Sequence, residues 1–241
     1  MPATQTSTAR RRIRWRWVIT PPILLLAVLC VLFAPYLERE ETVRRLHEHG
    51  VSVFYGETHG SLPHFSYRFI RAVPGMQHYG LPVVAADVYV LPIIRDHLPQ
   101  IVRDLESLQI PVELTLEPST DLTQDLKLLQ SKCIVDVCFA ARPDNKPIIP
   151  QEAVSLLRGM PHLETLSLMY CELDRQAFSE IGNLPSLKAL HLDQSSVTDP
   201  DLSAFAKLSN LNYLSLSNTY VSDSAKERLQ TALPRLDLTD D

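Results

Sequence analysis

Five of the eight histidines fall between positions 47 and 78: His47, His49, His59, His64 and His78, with Glu48 and Glu57 among them. Imidazole and carboxylate are zinc ligands, so a metal-dependent activity is the first chemistry this segment suggests. The spacing argues against it. His47 and His49 are two apart and would project to different sides of a helix. No His-Glu-x-x-His or Cys-x-x-Cys motif supplies a preformed ligand set. A solvated cap and loop accounts for these residues better, and no metal or cofactor is expected.

A second set is His191 and Asp193, which strand alternation puts on one face with Ser167 and Ser215. Serine, histidine and aspartate can make an acyl-transfer relay, but only with an oriented base and an oxyanion hole. Nothing near these positions supplies either. The chain also has no Gly-rich phosphate loop, no Gly-x-Ser-x-Gly elbow and no dinucleotide fingerprint. A polar recognition surface is expected here, not an enzyme.

The elements that position this surface are repeats. Leu163-x-x-Leu166-x-Leu168 recurs as Leu187-x-x-Leu190-x-Leu192 and as Leu211-x-x-Leu214-x-Leu216, each displaced by 24 residues. That period and pattern predict a leucine-rich repeat solenoid, an α/β fold with short parallel strands on a concave face and helices on the convex face. The leucines point inward, at about 1.5–3 kcal/mol of transfer free energy each. One repeat cannot bury its own leucines, so neighbours must stack. The outward positions are Thr165, Ser167 and Met169; Ala189, His191 and Asp193; Tyr213, Ser215 and Ser217. All of these but Ala189 are candidates for partner binding. Cys171, Ser195 and Thr219 take the inward corner after each strand, where a hydroxyl could satisfy backbone groups of the turn. Asp174, Asp199 before Pro200, and Ser222 or Asp223 are the expected helix N-caps.

Upstream, a helix over Glu38–His49 ending at Gly50 and a strand over Val51–Tyr55 are expected to cap the stack. Gly56–Pro82 reads as irregular, with a short helix around Phe65–Val73. A strand at Val83–Val90, a helix across Ile93–Leu108, a degenerate repeat strand at Val112–Leu116, a helix at Asp121–Gln130 and a strand at Ile134–Phe139 follow. Extra length sits in Ala140–Pro150, punctuated by three prolines, before a helix at Gln151–Arg158. Leu233-x-x-Leu236-x-Leu238 is a shortened closing echo of the strand pattern, and Asp237, Asp240 and Asp241 protect its edge.

The net charge of −5 hides an asymmetry, because residues 1–37 carry five arginines and no acid. The remaining 18 basic and 28 acidic side chains leave residues 38–241 at about −10, which disfavours nucleic-acid binding. Trp17–Leu37 is an uncharged stretch of 21 residues, long enough to span a bilayer as a helix. Trp15, Trp17 and Tyr36 stand at its ends, and the arginines precede it, which predicts an N-terminus in the cytoplasm and a body outside it. The rival is a cleaved signal peptide, but Pro35 follows the only small-residue site at Ala34, and an uncleaved anchor is expected. Four cysteines make no disulfide scaffold in a chain of 241 residues. The expected organisation is a basic tail (1–16), a transmembrane helix (17–37), a capping region (38–110) and a repeat domain (111–241) whose regular repeats run from 160 to 231.

Ser195-Ser-Val-Thr-Asp199 and Thr219-Tyr-Val-Ser-Asp223 resemble the Thr-x-Val-Thr-Asp corner of bacterial leucine-rich repeat proteins abundant in planctomycetes. Leu229-Gln-Thr-Ala-Leu-Pro234 resembles that family's final helix, and Arg45–Tyr55 the helix, glycine and strand that often precede its repeats. The resemblance covers 160–238 and 38–55; Cys171-Glu-Leu-Asp174 departs from the corner pattern. It implies a solenoid, often exported or membrane-tethered, generally without an assigned activity. A membrane-anchored module binding a protein or an envelope component is therefore expected, with a structural scaffold of an envelope assembly as the alternative.

Overall fold

The computed structural model describes residues 34, 37–55, 83–90, 92–118 and 121–240. Apart from residues 34 and 37, the expected membrane span lies outside the described residues, as do the segment 56–82 and the helix expected within it. Among the described residues, no helix is long and apolar enough to cross a membrane. Residues through Glu41 form one compact unit and Thr42–Asp241 a second. In the first, residues 37–41 are helical.

The second unit opens with helix α1 (42–48), which buries Val43 and Leu46 and ends at Gly50, whose φ of 80° only glycine adopts without strain. Strand β1 (Ser52–Tyr55) then pairs antiparallel with β2 (Val83–Val90). From β2 onward every pairing is parallel, through β3 (Val112–Leu116), β4 (Ile134–Phe139), β6 (Thr165–Ser167), β8 (Ala189–His191), β9 (Tyr213–Ser215) and β10 (Asp237–Thr239). The eight strands stand in sequence order, as a solenoid requires. Parallel neighbours need a crossover, and helices supply it: α2 (Leu98–Leu108), α3 (Leu122–Leu128), α4 (Gln151–Leu156), α5 (Arg175–Ile181), α6 (Asp199–Phe205) and α7 (Asp223–Ala232). A 3-10 helix, Pro92–His97, occupies the start of the helix expected at Ile93.

The core lies between sheet and helices, and its columns repeat every 24 residues. Leu166, Leu190 and Leu214 are fully buried and in register. Ile149, Leu173, Val197 and Val221 form a second buried column, and Leu157, Ile181, Phe205 and Leu229 a third. Regular spacing therefore begins near Ile148, one unit before the first full leucine pattern. Strand β5 (Ile148–Ile149) pairs with β7 (Glu172–Leu173) in a small second sheet. Across the same boundary Val137 pairs with Leu166, 29 residues away, so the five-residue excess lies in the loop between β4 and β5. That loop is tied down where Glu172 N donates to Pro147 O (2.9 Å) and Lys146 Nζ to Gln194 O (3.2 Å).

Neighbouring helices close tightly. A Cβ on Gly182 would stand 2.4 Å from the Ala204 carbonyl oxygen, so this close approach of α5 to α6 needs glycine. Phe178 and Phe205 meet edge to face beside it, at 6.3 Å. At the other end of the stack carboxylates, Asp104 and Asp125 buried among them, join the elements. Arg45 donates to Asp104 (2.9 Å), and Arg95 to Asp125 (2.9 Å) and Asp121 (2.7 Å).

Two local expectations are corrected. Asp199 does not cap α6; Thr198 stands at the N-cap, with its backbone N–H and hydroxyl donating to Asp201. Asp199 instead accepts the N–H and hydroxyl of Ser222, itself the N-cap of α7, and so ties two repeats together. In the closing repeat Leu238 pairs with Leu214, and Leu236 N donates to Leu233 O as Leu211 N does to Leu208 O. The echo is thus shifted by one leucine: Leu238, its third, lies beside Leu214, the second of the repeat before it. Lys226, on α7, bonds Asp223 and Asp240 with its side chain 16% exposed.

Candidate functional site: the open face of the sheet

Alternation within β6, β8 and β9 puts the leucines into the core and their neighbours on the opposite face. Register then arranges the outward side chains in two rows. One runs Glu113, Asp136, Thr165, Ala189, Tyr213, Asp237; the other runs Thr115, Cys138, Ser167, His191, Ser215, Thr239. Met169, Asp193 and Ser217 follow at the end of their strands. Thr165, Ser167, Met169, Ala189, His191, Tyr213 and Ser217 are all half-exposed.

Tyr213 is held on both sides. Its ring lies 5.1 Å from that of His191 at a tilt of 46°, and its hydroxyl is 3.1 Å from Thr239 Oγ1. The side chain therefore reaches the surface with its torsions constrained, which lowers the entropy lost on binding.

Asp193 and Ser215 behave differently from the rest of the predicted set. They are 8% and 6% exposed. The Ser215 hydroxyl donates to Asp193 Oδ1, which also accepts Ser217 N (2.8 Å). The carboxylate thus closes a corner of the fold. With Ser215 bonded directly to Asp193 and His191 lying against Tyr213, these three side chains form no Ser–His–Asp relay.

The corner it closes recurs. Tyr170, Gln194 and Asn218, 24 residues apart, have φ of 60°, 56° and 54°. Each turns the chain off the sheet, and Tyr170 N and Gln194 N donate to the carbonyls of Asp193 and Ser217. Asparagine tolerates this conformation well; tyrosine and glutamine do not favour it. Beneath the turn, Thr219 Oγ1 donates to Leu216 O (2.7 Å), as expected of a corner hydroxyl. Ser195 does not: it is 4% exposed and its Oγ has no hydrogen-bond partner. Cys171 fills the same corner one repeat earlier, its thiol pushed up to about 12 by burial first and by Cys138 second.

Glu113, Asp136 and Thr239 were not singled out from the sequence. Glu113 was legible in the alternation of Val112-x-Leu114-x-Leu116. Asp136 was not, because strict alternation from Ile134 points it inward. Val135 is an extra residue there: Val112 pairs with Ile134 but Glu113 with Asp136, and the bulge turns Asp136 outward. In the histidine-rich segment, His49 stacks on His97 at 4.4 Å, while His59, His64, His78 and Glu57 lie outside the described residues. Among the described residues no three His, Cys, Asp or Glu side chains are placed to hold a metal ion.

No family model and no curated protein matches the chain. Among solved structures it is similar to an internalin, InlF, from Listeria monocytogenes, at 15% identity and a TM-score of 0.30, over 57% of this chain and 56% of that one. It is also similar to a Bacteroides fragilis protein, at 16% identity and a TM-score of 0.29, over 59% and 60%. The chain thus spans less than two thirds of the length of either. At these scores the repeat architecture rests on the 24-residue register of strands and core, not on the likenesses.

Proposed function

We propose that this protein is a membrane-anchored leucine-rich repeat module whose open sheet face binds a protein or an envelope component outside the cytoplasm, without catalysis. The observation that carries this reading is the face itself. Side chains from successive repeats share one direction, so contacts to a single partner add. It holds a braced tyrosine beside a histidine, and aromatic anchors of this kind often dominate interfaces. The uncharged stretch 17–37 behind five arginines supports the anchor and its orientation.

Two experiments test it. The full-length chain should stay with membranes through high-salt and alkaline washing, and external protease should degrade the body once outer barriers are opened. A soluble product beginning near Pro35 would overturn the anchor. Tyr213→Ala with His191→Ala should weaken capture of the partner from envelope extracts more than about tenfold, roughly 1.4 kcal/mol, with the unfolding midpoint retained. Unchanged capture by the double variant, with loss on deleting part of 56–82, would remove the sheet as the site.

A further inference from the structure

Single exposed apolar side chains are ordinary on a protein surface, but the same exposed position used twice is not. Among the described residues of Thr42–Asp241, two large hydrophobic side chains stand in solvent, Ile148 at 73% exposure and Tyr220 at 83%. They lie three 24-residue periods apart. Each immediately precedes a member of the buried column Ile149, Leu173, Val197 and Val221. The residues before the other two members are Glu172, which pairs with Ile148 across the small second sheet, and Ser196. Ser196 is half-buried, and its hydroxyl is committed to β7, accepting Leu173 N (2.8 Å) and donating to Leu173 O (3.1 Å). The charge at its level comes from Lys146, whose Nζ crosses to Gln194 O (3.2 Å). Glu172 and Lys146 are both exposed, and neither has an ion-pair partner among the described residues. Along this edge of the stack the order is therefore apolar, acidic, basic, apolar.

That order is complementary to its own reverse. Turned about a two-fold axis between the second and third units, a second copy sets its tyrosine against Ile148 and its lysine against Glu172, and each contact occurs twice. Three strand spacings of ~4.8 Å make the row about 14 Å long, and a copy matches that length because it carries the same row. The unreversed alignment would bring Glu172 against its own copy, and like charges oppose it. We propose that this edge is the interface of a two-fold symmetric homodimer. Four side chains on each copy bury less than the ~1,200 Å² of a standard stable interface, so the dimer is reversible. None of these residues belongs to the open sheet face, and failure of either reading leaves the other standing.

Sedimentation equilibrium of the full-length chain in density-matched detergent, over a range of concentrations, reads the association. The wild-type chain should form a reversible dimer. Glu172→Lys alone sets like charges together at both contacts, as does Lys146→Glu alone, and each should weaken self-association at least about tenfold. Mixing the two single variants puts opposite charges at both contacts and should give a heterodimer as tight as the wild-type dimer. Ile148→Ser and Tyr220→Ser should weaken association to the same degree, because each residue is the other's partner. All four side chains face solvent, so unfolding midpoints should be retained throughout. Disulfide trapping reads the geometry: chains carrying Ile148→Cys and chains carrying Tyr220→Cys should cross-link through these positions when mixed, and neither should do so alone.

A wild-type chain that stays monomeric, or a dimer that none of these substitutions weakens, would overturn the proposal. So would charge variants that associate no better mixed than apart, or Ile148→Cys chains that cross-link to each other through that position.

Discussion

Asp193 Oδ1 accepts the backbone N–H of Ser217 at 2.8 Å, across the boundary between two repeats. The same oxygen takes the hydroxyl of Ser215. Two residues at the end of β8 are thereby committed to opposite tasks: His191 faces outward beside Tyr213, and Asp193 holds the next corner. Asp193→Ala should lower stability by about 1–3 kcal/mol, because a buried hydroxyl and a backbone N–H lose their acceptor. Asp193→Asn keeps a carbonyl oxygen in place and should cost less. Urea unfolding midpoints measure both, and a neutral Asp193→Ala would show that the corner closes without this carboxylate.

Ser195 and Thr219 occupy equivalent corners and should respond oppositely to alanine. Ser195 Oγ is buried without a partner, so Ser195→Ala removes a desolvated hydroxyl and should be neutral or stabilising by up to about 1 kcal/mol. Thr219→Ala removes a hydroxyl bonded to Leu216 O and should destabilise. Equal losses in thermal unfolding would mean that Ser195 is satisfied after all.

Two of the buried aspartates, Asp104 and Asp125, should pull acid stability in opposite directions. Burial alone would raise the Asp104 carboxyl, but hydrogen bonds from Arg45 and Gln100 outweigh it and hold the group below its ordinary range. Its stabilisation is full above the ordinary carboxylate pKa and is lost as pH falls through the lower, folded value. At Asp125 burial outweighs Arg95 and the carboxyl is raised, so its contribution is present at low pH and lost as pH rises through the folded value. Asp104→Asn should therefore flatten the acid-induced loss of stability, while Asp125→Asn should steepen it. Unfolding midpoints compared between neutral and mildly acidic pH check the signs.

Cys171 is fully buried, and its thiol is pushed up to about 12. The thiolate is the reactive form, so Cys171 should resist alkylation at pH 8 in the folded protein and react once denaturant is added. Mass-spectrometric mapping of iodoacetamide adducts reads this directly. Rapid labelling of native Cys171 would place the corner in solvent.

The sequence by itself determined the period, and with it most of the strands and core. Leu166, Leu190 and Leu214 are buried and aligned because a 24-residue repeat can hide its leucines only by stacking them, a condition visible in spacing alone. The cap at 42–55 was legible for a similar reason: Gly50 ends a helix whose apolar residues share one face. What required the tertiary structure were choices between partners distant in sequence. Asp199 looks like a cap beside Pro200, but Ser222, one repeat later, competes for its oxygens and wins. Asp136 points outward only because β4 bulges at Val135, which neighbouring strands impose and local alternation cannot reveal. Asp193 seemed as available as His191, since both alternate outward; Ser215 and Ser217 on the next repeat withdraw it into the fold. Periodicity specifies which residues lie on a face, whereas hydrogen bonds between repeats decide which of them remain available there.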